Sequence, residues 1–197
     1  MPGPSEEPAK GRVAVEAALI EAASDLLSEV GPRATSVRDI ATRAGVNHGQ
    51  VHHYFGGKQG LLKEAMRQMA HQHYEAVRAL SDGRPIPPPL TAPEDQRYWR
   101  AVVRATIEGD LELARTEIDE GVSVSRSALD FLTERRGLDE PTIGLKAALA
   151  EGTALQLGWM ALEPFLFLVA NVSDDEQEEV RARIRQNAET KRAPIER

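Results

Sequence analysis

The run from Thr35 to Lys58, TSVRDIATRAGVNHGQVHHYFGGK, leaves the chain little choice: two short helices hinged on a glycine, with a third helix behind them. Ser36 followed three residues on by Asp39 is a capping-box-like start, the hydroxyl placed to accept from an orphan backbone N–H and the carboxylate set at the positive helix end. Val37, Ile40, Ala41 and Ala44 recur at i, i+3, i+4 and i+7, which gives the first helix one apolar face. Its polar face carries Arg38, Thr42 and Arg43. Gly45 supplies the left-handed exit, Val46 plugs the angle between helices, and Asn47 suits the cap of a second helix running to about Phe55. That helix turns Val51 and one or both of Tyr54 and Phe55 inward, and leaves His48, Gly49, Gln50, His52 and His53 outward. A compact polar face of this kind is what a helix needs to read base edges in a major groove.

The pattern T-S-V-R-D-I-A-x-x-A-G-V, followed by x-x-G-x-V-x-x-Y-F-x-x-K-x-x-L, resembles the DNA-binding motif of the tetracycline-repressor (TetR) family of bacterial transcriptional regulators. The resemblance covers roughly sixty residues, Arg12 to His71, and is not recognisable beyond them. It implies an all-α protein with a three-helix DNA-binding head, a helix-turn-helix, and a larger helical ligand-binding and dimerisation domain. By motif position Arg38, His48 and Gln50 are candidates for base-edge contact, and Gly49 lets the backbone approach the duplex. Ser36 and Asn47 fall in the same DNA-binding set. A cation at the start of the fourth helix is out of place on dipole grounds; the resemblance supplies a DNA phosphate held by Lys58 and the helix amino terminus together. His52 and His53 stand where the family usually holds phosphate-contacting aromatics, His52 where tyrosine is commonest. A histidine there can still donate to phosphate. Apart from the motif, each of these side chains would read as an ordinary solvated helix face.

The formal charge of −7 argues against a protein that coats nucleic acid without selectivity. Between Gly31 and Gly60, however, Arg33, Arg38, Arg43 and Lys58 face only Asp39, so an acidic chain carries a segment of net charge +3 that also holds three of its five histidines. A focused patch of that sign binds phosphate with marked salt dependence. With 41% hydrophobic residues, few aromatics and no sustained strand-like alternation, the composition favours helices. The absence of cysteine removes disulfides, thiolate metal sites and thiol chemistry. MPGPSEEPAK lacks the basic and apolar regions of a secretory signal, so a cytoplasmic location is expected.

Taken in order, residues 1–11 read as a disordered tail. Lys10 and Arg12 lie within reach of a phosphate or minor groove, but by composition that end reads as solvated. The first helix runs from Arg12 to Val30 on the stripe Leu19, Ala23, Leu26 and Val30, and Gly31-Pro32 ends it. The DNA-binding domain is residues 12–58, and residues 59–197 form the helical ligand-binding and dimerisation domain. The fourth helix continues to about Leu80. Residues 81–93 hold prolines at 85, 87, 88, 89 and 93 and form an extended linker. Helical pattern resumes from Glu94, with Trp99, Val102, Val103, Thr106 and Ile107 on one side, a break at Gly109-Asp110, and a resumption over Leu111–Glu117. Further helices are expected over Val122–Arg136, with Leu129, Phe131 and Leu132 inward, and over Pro141–Asn171. A charged last helix follows Ser173.

The segment Ala154–Val172 is the most apolar in the chain and approaches the length of a membrane span. Gln156, Glu163 and Pro164 interrupt it, and a central carboxylate is costly in lipid, so no membrane contact is expected. A helix apolar nearly all round must be covered by something. Its own domain covers part, and a second copy covers the rest: a homodimer through the last two helices.

Trp99, Val103, Phe131, Trp159, Met160 and Glu163 are candidates for lining a site for a small apolar or amphipathic effector, against the plainer reading that such residues are core. Glu163 suits either a ligand or an interface salt bridge. His48 and His52 share a face at i, i+4, but no glutamate lies between them and no third ligand is evident, so neither metal nor cofactor is expected. His71 and His73 read as surface or interface residues. No nucleophile elbow, phosphate loop or cofactor fingerprint is present, and an enzyme is not expected. The function implied is a dimeric, ligand-responsive repressor on a palindromic double-stranded operator. The competing reading is a DNA-binding regulator whose helical domain binds a protein partner and no small molecule.

Overall fold

The computed structural model describes residues 7–82, 86–91 and 93–192, the first four by backbone alone. The architecture is all-α, with no strand among the described residues. By packing the chain divides into two units, one holding the residues up to Gln72 with Asp95–Glu120, the other His73–Glu94 with Gly121–Arg197. This division cuts a continuous helix and assigns residues 95–120 to the amino-terminal unit. The 12–58 and 59–197 partition follows the motif instead.

The first unit contains α1 (Glu7–Ala34), α2 (Val37–Ala44), α3 (Gly49–Phe55), the first part of α4 (Lys58–Leu80), α5 (Arg97–Ile107), α6 (Leu111–Ala114) and α7 (Thr116–Asp119). Its interior holds Leu19, Ala23 and Leu27 of α1, Ile40 of α2, Val51 of α3, and Leu61, Leu62 and Met66 of α4, all fully buried. α1 starts at Glu7, earlier than expected, because Pro8 fits a first helical turn and Glu, Ala and Lys are good helix formers. Of the tail expected over residues 1–11, residues 7–11 are helical instead, and residues 1–6 lie outside the described residues. At Gly31 the backbone leaves the helical region (φ 83°, ψ 171°), so Gly31-Pro32 does end the straight part of α1. Val30, expected on the apolar stripe, is largely exposed at that exit.

α5 runs alongside α1 in the same direction. Arg97 is chelated by Asp95 (Nη2 to Oδ2 2.9 Å) and reaches Glu21 (2.6 Å) and Asp25 (3.0 Å) on α1. Two turns on, Arg104 Nε donates to the Ser28 carbonyl (3.0 Å), and one further turn brings Glu108 Oε2 to the Arg33 backbone N–H (2.7 Å). A Cβ at Gly31 would sit 2.2 Å from Glu108 Oε1, so glycine is required there both for its φ and for the carboxylate. The buried face of α5 is Tyr98, Ala101 and Ala105. It was expected to be Trp99, Val102, Val103, Thr106 and Ile107, yet Thr106 and Ile107 are exposed, because alanine packs closely where the bulkier side would hold the helices apart. The run expected over Leu111–Glu117 is divided at Arg115 into α6 and α7. The Tyr98 hydroxyl donates to Glu117, and burial, then the Glu117 charge, pushes its ionisation well above the ordinary phenol value.

In the second unit α8 (Val124–Arg135) starts at Ser123, whose side chain accepts from the Arg126 N–H (3.2 Å). α8 buries Ala128, Leu129 and Thr133; Phe131, expected inward, is exposed. α9 (Ile143–Val169) is capped by Thr142, which accepts from the Leu145 N–H (3.2 Å), so Pro141 stands before the helix and not in its first turn. α10 (Gln177–Arg192) starts after a closed Ser173–Glu176 pair, with Ser173 Oγ donating to Glu176 Oε2 at 2.6 Å. The linker is anchored: the Thr91 carbonyl accepts from Gln156 (3.1 Å) and the Pro87 carbonyl from Arg192. It is not extended throughout, since Thr91 N–H returns to the Pro88 carbonyl around Pro89 and a positive-φ Leu90. Residues 83–85 and 92 of the linker lie outside the described residues. His73, expected near the surface, is buried in α4.

Two substitutions test this packing. Gly60, at the start of α4, would bring a Cβ to 2.0 Å from the Phe55 carbonyl oxygen. Gly60→Ala should therefore lower stability by about 1–3 kcal/mol in urea unfolding, where an open helical site would gain from alanine. Tyr98→Phe should cost about 1 kcal/mol near neutrality through the lost hydroxyl–carboxylate bond. Because the folded state raises the Tyr98 ionisation, its contribution is complete below about pH 10 and falls away as pH rises further. The phenylalanine variant should lose that alkaline decline, as read from denaturation midpoints against pH.

Candidate nucleic-acid interface

The surface that α2 and α3 present is set by their termini. Ser36 Oγ accepts from the Asp39 N–H (3.1 Å) and donates to Asp39 Oδ2 (2.5 Å), which closes the start of α2 as its spacing predicts. At the other end Gly45 adopts φ 68°, its N–H meeting the Thr42 carbonyl and the Val46 N–H meeting the Ala41 carbonyl (3.0 Å). This double closure turns the chain sharply. The first residue of α3 is Gly49, with His48 at the cap position and no capping bond from its side chain. Asn47 supplies the cap chemistry instead: its Oδ1 accepts from the Gly49 N–H at 2.8 Å.

From α3 only Val51 is buried, with Tyr54 and Phe55 half-buried. His48, Gly49, His52 and His53 are exposed, and Gln50 is partly so. Gly56 (φ 70°) and Gly57 (φ 125°) then reverse the chain into α4, and the His52 Nδ1 lies 3.4 Å from where a Gly57 Cβ would be. His52 is thus beside the amino terminus of α4, whose first N–H groups have no intrahelical acceptor. Lys58, half-buried, is the first residue of that helix. Arg38 is exposed on α2.

One expected member of the cationic segment is engaged elsewhere. Arg43 forks onto Glu29 of α1 (Nη1 2.9 Å, Nη2 2.7 Å), with Asp25 at 4.0 Å. The Glu29 carboxylate holds the Arg43 ionisation above its usual value, and is itself held low by that bond. Arg33, Arg38 and Lys58 have no ion pair among the described residues. Sequence reading missed Glu29 because it lies fourteen positions away on another helix.

The residues singled out for an effector do not form one group. Trp99 and Val103 belong to the first unit, and Phe131, Trp159, Met160 and Glu163 to the second. Glu163 accepts from Arg181 of α10 (2.7 Å), whose guanidinium also lies 5.2 Å from the Phe167 ring centre. Trp159 meets Phe167 edge-on at 5.7 Å, and Met160 Sδ accepts from Gln156. No cluster of three or more His, Asp or Glu suited to a metal occurs among the described residues. Among the described residues α9 alone is long and apolar enough to cross a membrane, and of its residues only Leu145 and Phe167 are buried in the chain.

A family model described as bacterial regulatory proteins, tetR family, matches residues 19–65. The HTH-type transcriptional repressor Rv3405c of Mycobacterium tuberculosis is 32% identical over 171 residues, covering 87% of this chain and 85% of that protein. Similarity therefore extends well past the Arg12–His71 region recognisable from the motif. The HTH-type transcriptional regulator BetI 1 of Chromohalobacter salexigens is 46% identical over 59 residues, 30% of this chain and 29% of its own length. Among solved structures, the HlyIIR mutant protein superposes with a TM-score of 0.54 at 17% identity, covering 83% of this chain and 93% of that one, which is a likeness of fold. The chain belongs to the TetR family of bacterial helix-turn-helix transcriptional regulators.

Proposed function

We propose that this regulator is a homodimeric, ligand-responsive repressor that binds a near-palindromic operator in the cytoplasm, with residues 12–58 as the DNA-binding domain and residues 59–197 serving effector binding and dimerisation. The observation that carries the reading is the outward set on α3, His48, Gly49, Gln50, His52 and His53, flanked by Arg38 and Lys58. These side chains supply donors and acceptors for base edges and cations for phosphate. Gln50 suits bidentate contact with adenine. Lys58 with the free N–H groups of α4, and His52 beside them, forms a phosphate seat; Ser36 and Asn47 contribute polar groups at the starts of α2 and α3.

Support for the dimer comes from α9, where Leu155, Leu162, Phe165, Leu166, Leu168 and Val169 are exposed in the single chain. An apolar surface of that extent is costly in water, and a twofold pairing of α9 and α10 covers it in both copies at once. Two reading helices then enter successive major grooves, about 34–36 Å apart. A small apolar or amphipathic molecule that prefers a different spacing of the heads lowers operator affinity by its differential affinity for the two states. Trp159 and Met160, half-buried on α9, are the groups best suited to meet such a molecule.

Selection of bound fragments from genomic DNA with purified protein identifies the operator, and failure to enrich any palindromic sequence would sink the reading. On that operator Gln50→Ala should cost about 1–3 kcal/mol at particular base pairs and leave the salt slope alone. Lys58→Ala should weaken all sequences alike and reduce the slope of log K against log salt by about one.

A further inference from the structure

Arg12 lies near the start of α1, far in sequence from α3, yet its guanidinium carbon is 5.5 Å from the centre of the Tyr54 ring. The same ring meets His53 edge-on at 4.8 Å. Tyr54 therefore brings a cation of α1 beside the outward histidine of the reading helix. The Arg12 side chain is 64% exposed, and its ion-pair partner is Glu16, Nε to Oε1 2.8 Å. Among the described residues only Nε is engaged, so the two Nη groups of the fork keep their donors for another acceptor.

We propose that Arg12 is a further DNA-phosphate-binding residue at the flank of α3, and that Glu16 is a competing carboxylate which the phosphate displaces on binding. The inference rests on the reading that α3 enters the major groove. Stacking over Tyr54 holds the guanidinium in place before the duplex arrives, which reduces the ordering cost of the contact. Helix stability alone does not account for the pair, because Arg12 precedes Glu16, the less favourable order for an i, i+4 ion pair. The need is also apparent: with Arg43 bound to Glu29, the segment of net positive charge offers phosphate fewer free cations than its composition suggests.

The test uses the full chain and the selected operator duplex, with binding followed by fluorescence anisotropy over a salt series for wild type, Arg12→Gln, Glu16→Gln and the double variant. Arg12→Gln should weaken every sequence alike and lower the salt slope by about 0.9. Glu16→Gln should tighten binding by up to about fivefold, and that gain should vanish when Arg12 is also replaced. Two results overturn the proposal: an unchanged slope in Arg12→Gln, or a Glu16→Gln gain that persists without Arg12 and so reflects only the loss of a negative charge. Thermal melts establish that the variants are folded. Wild type that binds with Gln50-dependent selectivity while Arg12→Gln keeps its slope removes this proposal alone; wild type that binds no duplex selectively removes the reading of α3 and this proposal together.

Discussion

Two arginines hold one acidic ridge, and the first unit is assembled around that grip. Glu21, Asp25 and Glu29 recur every fourth residue on α1; Arg97 of α5 takes the first two and Arg43 of α2 takes the last, with Asp25 within reach of both. Each pair alone is a partly exposed ion pair and would contribute little. Their combination, with Arg104 on the Ser28 carbonyl and Glu108 on the Arg33 N–H, fixes α5 along α1 in one register. Alanines at 101 and 105 then allow the close approach that the polar contacts demand.

The outward face of α3 depends on this frame and on three glycines. α3 stands where it does because Gly45 and Gly56 turn the chain with positive φ, and because Gly60 lets the start of α4 rest against the Phe55 carbonyl. Val51, fully buried, sets the inward side of α3, and Arg43 ties α2 back to α1. The outward face of α3 is thus fixed by what holds its other side. Glu29, Gly60 and Val51 fix it from within the fold and lie on none of the outward positions themselves.

The parts of this molecule that were legible in the sequence are those governed by near neighbours. Ser36 with Asp39, Gly45, and the outward set on α3 follow from contacts within a few residues, and the structure has them as expected. What misled was periodicity without partners. Ile107 and Phe131 fall on apolar stripes yet are exposed, because the inward sides of α5 and α8 are set by Ala101, Ala105 and Ala128, whose small volume is invisible to a hydrophobicity pattern. Arg97, Glu108 and Gly60 were missed for a related reason: their roles are defined by groups up to 76 positions away or by a single carbonyl oxygen. Asn47 has the capping chemistry its side chain suggests, but α3 begins at Gly49, one residue later than a cap at Asn47 implies.

The engagement of Arg43 bears on how a cell's ionic conditions reach this regulator. Each cation that meets a phosphate releases counterions and makes the complex more sensitive to surrounding electrolyte. A cation neutralised within the fold releases none. A tally of arginines and lysines therefore overstates how steeply added salt would loosen this regulator's hold on DNA, since Arg43 is already engaged by Glu29.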